Sequence, residues 1–196
     1  MKNKTLDYYN QNAADFFEGT CSADMSHLYD VFLQHIPDKG HILDLGCGSG
    51  RDSKHFIEKD YHVTAIDGSK ELCALASKHI GQEVLCMDFA EVDFEDAFDG
   101  IWACASLLHV DRTSIKVVLA RLHRSLKAGG TMYLSFKEGI GEREKEGRFF
   151  NDYTEDSLKI LLESCGFAVE ELFITGDVRE GRSGEKWVNG IVKKRE

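Results

Sequence analysis

The sequence has a single proline, Pro37, and its apolar runs are short. One proline leaves no proline-rich linker, and no run approaches the ~20 apolar residues that a transmembrane helix requires. The first residues, MKNKTLDYYNQ, also lack the apolar stretch of a signal peptide. We therefore expect one domain of ordinary size, located in the cytoplasm and without a membrane partner.

Metal-binding and nucleic-acid-binding patterns are missing as well. The six cysteines form no CxxC pair, and the eight histidines form no HExxH motif. We therefore expect reduced thiols and no metal site. The net charge is −10, and the segment from His79 to Asp111 contains eight acidic residues but no lysine or arginine. Such a surface repels phosphate backbones, which disfavours nucleic acid as a partner. The oligomeric state is left open.

Apolar periodicity predicts helices first and then strands that alternate with helices. One helical pattern carries Leu6 through Phe17 on a single face, and a second runs from Met25 to Ile36. Strands are then predicted at 41–45, 63–66, 84–87, 100–104 and 131–136. A last helical pattern and a hairpin near 167–174 and 187–192 follow. The prediction is an α/β fold with a Rossmann-like, mostly parallel sheet of seven strands, helices on both faces and an N-terminal helical cover.

The strongest local pattern is the glycine loop of residues 44–51, DLGCGSGR, which follows a predicted strand and opens a predicted helix. Glycines there let the backbone approach a ligand closely, and a helix N-terminus favours a negatively charged group. A dinucleotide fingerprint has the spacing GxGxxG, but Gly46, Gly48 and Gly50 have the spacing GxGxG. The loop therefore argues against an NAD-dependent oxidoreductase.

This loop resembles the first motif of class I S-adenosylmethionine (SAM) dependent methyltransferases, in particular the small methyltransferase-domain group. The resemblance covers most of the chain. Asp67 closes the second strand, where the family's acid binds both ribose hydroxyls, and the sequence MDF at 87–89 closes the third strand, where the family binds adenine. The resemblance implies SAM as the cofactor. The cofactor-binding residues it predicts are Tyr9, Asp44, Gly46, Cys47, Gly48, Gly50, Arg51, Asp67, Gly68, Ser69, Asp88, Phe89 and Ala105.

Four of these side chains have a second interpretation that the sequence leaves open. Asp88 could cap the segment that follows it instead of contacting adenine. Arg51 could pair with the methionine carboxylate or lie solvated on a helix. Tyr9 could close over the cofactor or pack in the core. Asp44 is expected to orient the glycine loop through backbone N–H groups, and it could also receive the cofactor's ammonium group.

The fourth strand is followed by His109, the candidate catalytic residue. Its neutral-range pKa suits a general base, although a half-buried loop histidine bonded to backbone is the alternative. The charged segment 138–153 is a candidate lid, with a solvated loop as the alternative. Arg148, Phe149 and Tyr153 in this segment are the candidate substrate-binding residues.

The resemblance implies direct in-line transfer of a methyl group from SAM to a small-molecule acceptor. Protein or RNA methylation, or a non-catalytic SAM-binding module that serves a partner protein, are the alternatives. The chain is interpreted as one methyltransferase domain: a helical cover at 1–38, a SAM-binding core at 39–137, the lid-like insert at 138–153, and a C-terminal helix and hairpin at 154–196. The sequence does not name the acceptor.

Overall fold

The computed structural model describes residues 4–179, 181–182 and 184–195. Three helices come first: α1 (Lys4–Gln11), α2 (Ala13–Thr20) and α3 (Ser26–Leu33). Strands and helices then alternate: β1 (His41–Leu45), α4 (Arg51–Glu58), β2 (His62–Asp67), α5 (Lys70–Ile80), β3 (Leu85–Cys86), β4 (Phe98–Ala103), α6 (Ile115–Ser125) and β5 (Leu126–Lys137). The chain continues as β6 (Gly141–Lys145), β7 (Arg148–Asp152), α7 (Glu155–Ser164), β8 (Phe167–Gly176) and β9 (Lys186–Lys194).

The main sheet has seven strands in the order β3-β2-β1-β4-β5-β9-β8. The first five strands in this order pair in parallel, and β9 runs antiparallel to both β5 and β8. This arrangement confirms the predicted Rossmann-like sheet and the C-terminal hairpin. The insert forms a separate antiparallel pair, β6 with β7, which the sequence pattern did not indicate as strands.

The N-terminal pattern from Leu6 to Phe17 corresponds to two helices and not to one. The break falls at Asn12, whose φ of −113° and ψ of 21° are not helical. Both the backbone N–H of Asn12 and its side-chain Nδ2 donate to the carbonyl of Tyr8, at 3.0 and 2.8 Å. An asparagine side chain that competes for a helix carbonyl favours a helix end, so the second helix starts afresh at Ala13.

Apolar side chains of the central strands alternate between the two faces of the sheet. Ile42 and Trp102 belong to one buried cluster, and Leu43 and Ile101 belong to the other. This alternation is expected of strands that are covered on both sides. Trp102 is fully buried and stacks on Tyr133, with 4.1 Å between the ring centroids.

Because β1, β2 and β4 are parallel, their carboxyl ends meet at one edge of the sheet. The glycine loop leaves β1 at this edge, and α1, α2 and the β6–β7 hairpin lie close by. No helix in the described part of the chain is long and apolar enough to cross a bilayer.

Candidate functional site

The three glycines of the loop all adopt left-handed backbone conformations, with φ of 76° at Gly46, 56° at Gly48 and 78° at Gly50. A Cβ at Gly46 would lie 2.6 Å from the Cβ of Ser106, and one at Gly48 would lie 3.0 Å from the ring of Phe16. Other residues are strained in this conformation and lack the space here. The loop is therefore shaped for close approach of another group to its backbone.

The end of β2 holds the loop in place. The N–H groups of Gly46 and Cys47 donate to the carbonyl of Ile66, at 2.9 and 3.0 Å. The Gly48 N–H donates to Oδ2 of Asp67 at 2.9 Å, and the Ser69 N–H donates to Oδ1 at 2.8 Å. These bonds perform the orienting role that the sequence assigned to Asp44.

The carboxylate of Asp67 retains accepting capacity after these two bonds are made. Each of its oxygens has a second lone pair, so the group can still accept from two neighbouring hydroxyls. Burial raises the pKa of Asp67, while the hydrogen bonds from Ser69 and Gly48 oppose that rise. The placement fits the predicted contact with a ribose.

Two cavities meet at the glycine loop. The strand-end cavity, of about 270 Å³, lies at the ends of β2 and β3 and is walled by Asp67, Gly68, Asp88 and Phe89 among others. The hairpin cavity, of about 370 Å³, lies towards β6 and β7 and includes Cys47 and Arg51 in its wall. The residues common to both walls are Tyr9, Phe16, Gly46, Gly48, Ala105 and His109.

The strand-end cavity combines expected wall residues with one that sequence reasoning missed. Asp88 is exposed and accepts from the Ala90 N–H at 2.9 Å, so it caps a 3-10 turn and also lines the cavity. Ser106 contributes a buried hydroxyl for which the described residues provide no hydrogen-bond partner. Ser69 caps α5 and donates to Asn10 at 2.8 Å; neither described cavity wall includes it.

Arg51 enters the hairpin cavity as half of a buried ion pair. Its Nε and Nη2 donate to the two carboxylate oxygens of Asp52, at 2.6 and 2.9 Å. Tyr29 and Trp102 also donate to this carboxylate, at 2.5 and 2.8 Å. Burial opposes the charge of Asp52, but Arg51 outweighs it and lowers the pKa of the carboxyl group. Asp52 was not predicted, since the sequence does not show which helix positions face inwards.

Asp44 lies directly beneath the loop and is buried. Its Oδ2 accepts a hydrogen bond from Ser53 Oγ at 2.6 Å. Burial and the nearby charge of Asp52 raise the pKa of Asp44. Cys47 is affected in the same way, because burial and the charge of Asp44 raise the pKa of its thiol. The thiol is therefore protonated near neutral pH.

His109 is held by hydrogen bonds on both ring nitrogens. Nδ1 lies 2.7 Å from the carbonyl oxygen of Phe149, and Nε2 lies 2.9 Å from the hydroxyl of Tyr9. A carbonyl only accepts, so Nδ1 carries the proton and Nε2 accepts from Tyr9. Burial lowers the pKa of His109 to about 4, below the neutral range expected from the sequence, and leaves the ring unprotonated at pH 7.

Ala105 shapes the junction between the cavities through its backbone. Its φ of 52° is left-handed, and its N–H donates to Ser135 Oγ at 2.9 Å. Non-glycine residues in this conformation are uncommon and cluster at functional sites. Alanine does not mark this conformation, so it could not be predicted from the sequence.

The three predicted substrate residues have different placements. Arg148 lines the hairpin cavity. Phe149 contributes its backbone: its N–H donates to Thr5 Oγ1 at 3.0 Å, and its carbonyl accepts from His109. Tyr153 is buried against Phe136 in the core, and neither cavity wall in the described part of the chain contains it.

Comparison with known proteins gives matches for the central part of the chain. Residues 42–130 match a family described as a methyltransferase domain. The Bacillus subtilis protein YqeM, whose name marks it as a proposed methyltransferase, is 34% identical over 120 residues, covering 55% of this chain and 49% of that protein. A ubiquinone biosynthesis O-methyltransferase of Xylella fastidiosa is 33% identical over 115 residues, which cover 54% and 46%. The chain thus spans about half the length of these curated relatives.

Solved structures resemble the whole fold. The 1,6-didemethyltoxoflavin-N1-methyltransferase of Burkholderia thailandensis, crystallised with 1,6-didemethyltoxoflavin and S-adenosylhomocysteine, has a TM-score of 0.81 and covers 97% of this chain and 87% of its own. Its sequence identity is 23%, so the similarity concerns the fold. A protein from Methanosarcina mazei, described as a SAM-dependent methyltransferase, has a TM-score of 0.71 and 22% identity, and covers 82% and 95%.

Proposed function

We propose that the chain is a class I SAM-dependent methyltransferase that transfers a methyl group from SAM to a small-molecule acceptor, on the basis of its similarity to a methyltransferase-domain family, to methyltransferase relatives and to methyltransferase folds. The observation that carries this proposal is the pair of cavities that meet at the glycine loop. SAM has two dissimilar ends, an adenosine and an amino acid. The crevice provides a separate chamber on each side of Gly46 and Gly48.

The residues present fit this cofactor. The left-handed glycine loop places the backbone of Gly46 and Gly48 on both cavity walls, and Asp67 has lone pairs available for a vicinal diol. Ser106 offers a buried hydroxyl without a partner among the described residues. We assign Asp67, Gly68, Asp88 and Phe89 to the adenosine side, and the loop with Arg51 to the methionine side. The guanidinium of Arg51 remains on the cavity wall although Asp52 binds it.

SAM supplies a methyl group on a positively charged sulfur, which is already activated for attack. The protein therefore contributes mainly by positioning the acceptor and excluding water. The β6–β7 hairpin supports this role, because Arg143, Lys145, Arg148 and Phe150 all line the hairpin cavity. We assign segment 138–153 as the lid, segment 1–38 as the helical cover, segment 39–137 as the cofactor-binding core, and segment 154–196 as the C-terminal helix and hairpin.

His109 is proposed as the group that takes a proton from acceptors that must lose one. It is neutral and lies on both cavity walls, and its Nδ1 is fixed by Phe149. Its Nε2 accepts from Tyr9, so a proton either passes through the Tyr9 hydroxyl or reaches Nε2 after that hydroxyl moves. For an acceptor that needs no deprotonation, the same pair closes the junction over the cofactor.

Two measurements test the proposed function. Calorimetric titration with SAM, with S-adenosylhomocysteine and with NADH distinguishes a methyltransferase from an oxidoreductase; we expect the first two ligands to bind and NADH not to bind. Release of S-adenosylhomocysteine over a panel of acceptors then tests turnover. SAM binding without turnover on any acceptor class would favour the non-catalytic module, and turnover on protein or RNA alone would contradict a small-molecule acceptor.

A further inference from the structure

The wall of the hairpin cavity carries a group of positively charged side chains that the cofactor assignment does not use. We call this group the basic cluster; its members are Lys137, Arg143, Lys145, Arg148, Arg179 and Arg182. They come from β5, the β6–β7 hairpin and the connection between β8 and β9. The chain as a whole has a net charge of −10, so this concentration of positive charge is a local feature.

Four of the six cations surround only two carboxylates. Lys137 Nζ lies 3.0 Å from Asp177 and 2.5 Å from Glu185. Arg179 donates to Asp177 at 2.6 Å. Arg182 and Lys145 lie at the long distances of 3.9 and 4.0 Å from Glu185. Among the described residues, this part of the wall therefore has an excess of positive charge.

Asp177 shows how strong the local positive field is. Its side chain is 2% exposed. Burial opposes its charge, but hydrogen bonds from Arg179 and Lys137 outweigh the burial and hold the pKa of Asp177 well below its usual range. Lys137 Nζ also lies 3.8 Å from the ring centroid of Trp187. The ammonium is thus partly desolvated, which strengthens its attraction for any anion that enters the cavity.

Arg148 adds an unused hydrogen-bond donor. Its Nη2 donates to the exposed Glu146 at 2.9 Å, and its guanidinium lies 4.5 Å from the ring centroid of Tyr8. Its buried Nε has no hydrogen-bond partner among the described residues. An unsatisfied buried donor is costly, and a charged one is especially suited to an oxyanion. Arg143 lies nearby, with its guanidinium 4.6 Å from the ring centroid of Phe150, and its charge is paired with Asp152 at 2.5 Å.

The strand-end cavity has the opposite character. Its wall carries the acids Asp67, Asp88 and Asp111, and no lysine or arginine among the described residues. The positive charge of the two walls therefore lies on the hairpin side, which the proposed function gives to the methionine end of SAM and, beneath the lid, to the acceptor. Apolar and aromatic side chains share that side with the cations: Met25, Leu28, Tyr133, Phe150 and Trp187.

We propose, on the basis of the proposed function, that the methyl acceptor carries an oxyanion on an apolar or aromatic body. The oxyanion, a carboxylate or a phosphate, binds the basic cluster, and the body packs on the aromatic part of the wall. Charge-assisted hydrogen bonds from Arg148 and from other members of the basic cluster make the anion bind more tightly than a neutral analogue.

The test compares matched anionic and neutral probes on protein saturated with S-adenosylhomocysteine. The carboxylate arm uses 4-hydroxybenzoate against 4-hydroxybenzamide, and the phosphate arm uses phenyl phosphate against phenol. Calorimetry should show at least roughly tenfold tighter binding of the anion in one arm, and the preference should weaken with added salt. The arm with the larger preference identifies the oxyanion.

Two variants localise the effect. Lys145→Gln with Arg182→Gln removes two largely exposed cations and should reduce the preference by roughly tenfold. Arg148→Gln removes the buried donor and should reduce it similarly. Lys193→Gln is the control, since this lysine pairs with Glu170 at 3.7 Å and neither cavity wall in the described part contains it.

Three outcomes overturn the inference: equal binding of the anionic and neutral probes, no binding of either anion, or a preference that both variants retain. Binding of S-adenosylhomocysteine is measured first on every preparation. If it binds and the anion preference is absent, only this inference fails. If it does not bind, the proposed function fails, and an anion preference measured on the free protein would then describe a binding site of another kind.

Discussion

The wall of the strand-end cavity contains one unit built within a short stretch of chain, the glycine loop with Asp67, whereas the charged part of the hairpin cavity is built from side chains of distant segments. Gly46, Gly48 and Asp67 lie within 22 residues of each other in the sequence and form one hydrogen-bonded unit. In contrast, Lys137 meets Asp177 and Glu185 across 40 and 48 residues. The unit that we assign to the cofactor can be recognised from a sequence motif. The side chains that we assign to the acceptor come together only when the chain is folded.

The largest expected effect is a loss of SAM affinity when Asp67 is replaced. Asp67→Ala removes the two charge-assisted bonds that we propose to the ribose, so SAM affinity should fall by roughly one to three orders of magnitude. Calorimetric titration measures the change. The substitution also leaves the N–H groups of Gly48 and Ser69 without their acceptor, so circular dichroism must show that the fold persists.

Asp88→Ala is the matched control for this change. Asp88 also lies on the strand-end wall but is exposed, so we expect a loss of less than roughly fivefold. A folded Asp67→Ala protein that binds SAM as tightly as the unchanged chain would refute the ribose assignment.

The second effect concerns the shape of the loop. Gly46→Ala places a Cβ 2.6 Å from that of Ser106 and forces alanine into a left-handed conformation. We expect a loss of about 3 kcal/mol of unfolding free energy, from about 1 kcal/mol of backbone strain plus overpacking. Urea denaturation measures it.

Gly129→Ala separates the two causes. Gly129 has a similar φ of 72°, but a Cβ there meets nothing within 4 Å. Gly129→Ala should therefore lose only about 1 kcal/mol of unfolding free energy, which is the backbone strain alone. If both alanine variants lose the same unfolding free energy, overpacking against Ser106 does not contribute to the loss at Gly46.

The third effect lies at the junction between the cavities. His109→Ala should leave SAM affinity nearly unchanged and reduce turnover by roughly 10²-fold on an acceptor that must be deprotonated. Tyr9→Phe keeps the ring and removes the hydroxyl that donates to Nε2. A comparable loss in Tyr9→Phe indicates that the proton passes through Tyr9. Equal turnover of His109→Ala and the unchanged protein would remove His109 from the catalytic residues.

The smallest effect is a pH dependence of stability. Burial, against the opposing bond to Phe149 and with a smaller contribution from the charge of Arg148, lowers the pKa of His109 to about 4. The folded state therefore binds fewer protons than the unfolded chain, whose histidine titrates near 6.5. The contribution of His109 to the free energy of unfolding is fully present above about pH 6.5 and is lost as the pH drops towards 4. Between roughly pH 7 and 5.5 the loss is about 1 kcal/mol.

Urea denaturation at several pH values, with His109→Asn as the comparison, isolates this contribution. Asparagine can donate to the Phe149 carbonyl but does not titrate, so the slope should flatten in that variant. An identical slope in both proteins would mean that His109 is accessible to solvent and not held neutral by the fold.

The sequence predicted the elements that local patterns determine. The alternation of strands and helices along the chain, the C-terminal hairpin and the loop at 44–51 follow from apolar periodicity and glycine spacing. The break at Asn12 was missed, because asparagine is tolerated within helices and the competing bond to Tyr8 depends on its rotamer.

Most residues of the hairpin cavity could not be predicted from the sequence. Only Arg148 was predicted among the six residues of the basic cluster. The other five lie on strands or turns where a charged residue ordinarily indicates a solvent-facing position. Asp52 was missed for a related reason: its burial depends on Tyr29 and Trp102, which approach from other elements.

The two tryptophans of the chain lie at different ends of the hairpin cavity: Trp187 is on its wall beside the basic cluster, and Trp102 lies behind Asp52. Trp102 donates to Asp52, the partner of Arg51, and Trp187 lies against the Lys137 ammonium. We therefore expect their fluorescence to report different events. Trp102 should report binding near Arg51, on the proposed methionine side. Trp187 should be quenched by the Lys137 ammonium until an incoming anion screens that charge. Trp102→Phe and Trp187→Phe would each leave a single fluorophore, so stopped-flow mixing can establish the order in which cofactor and acceptor enter.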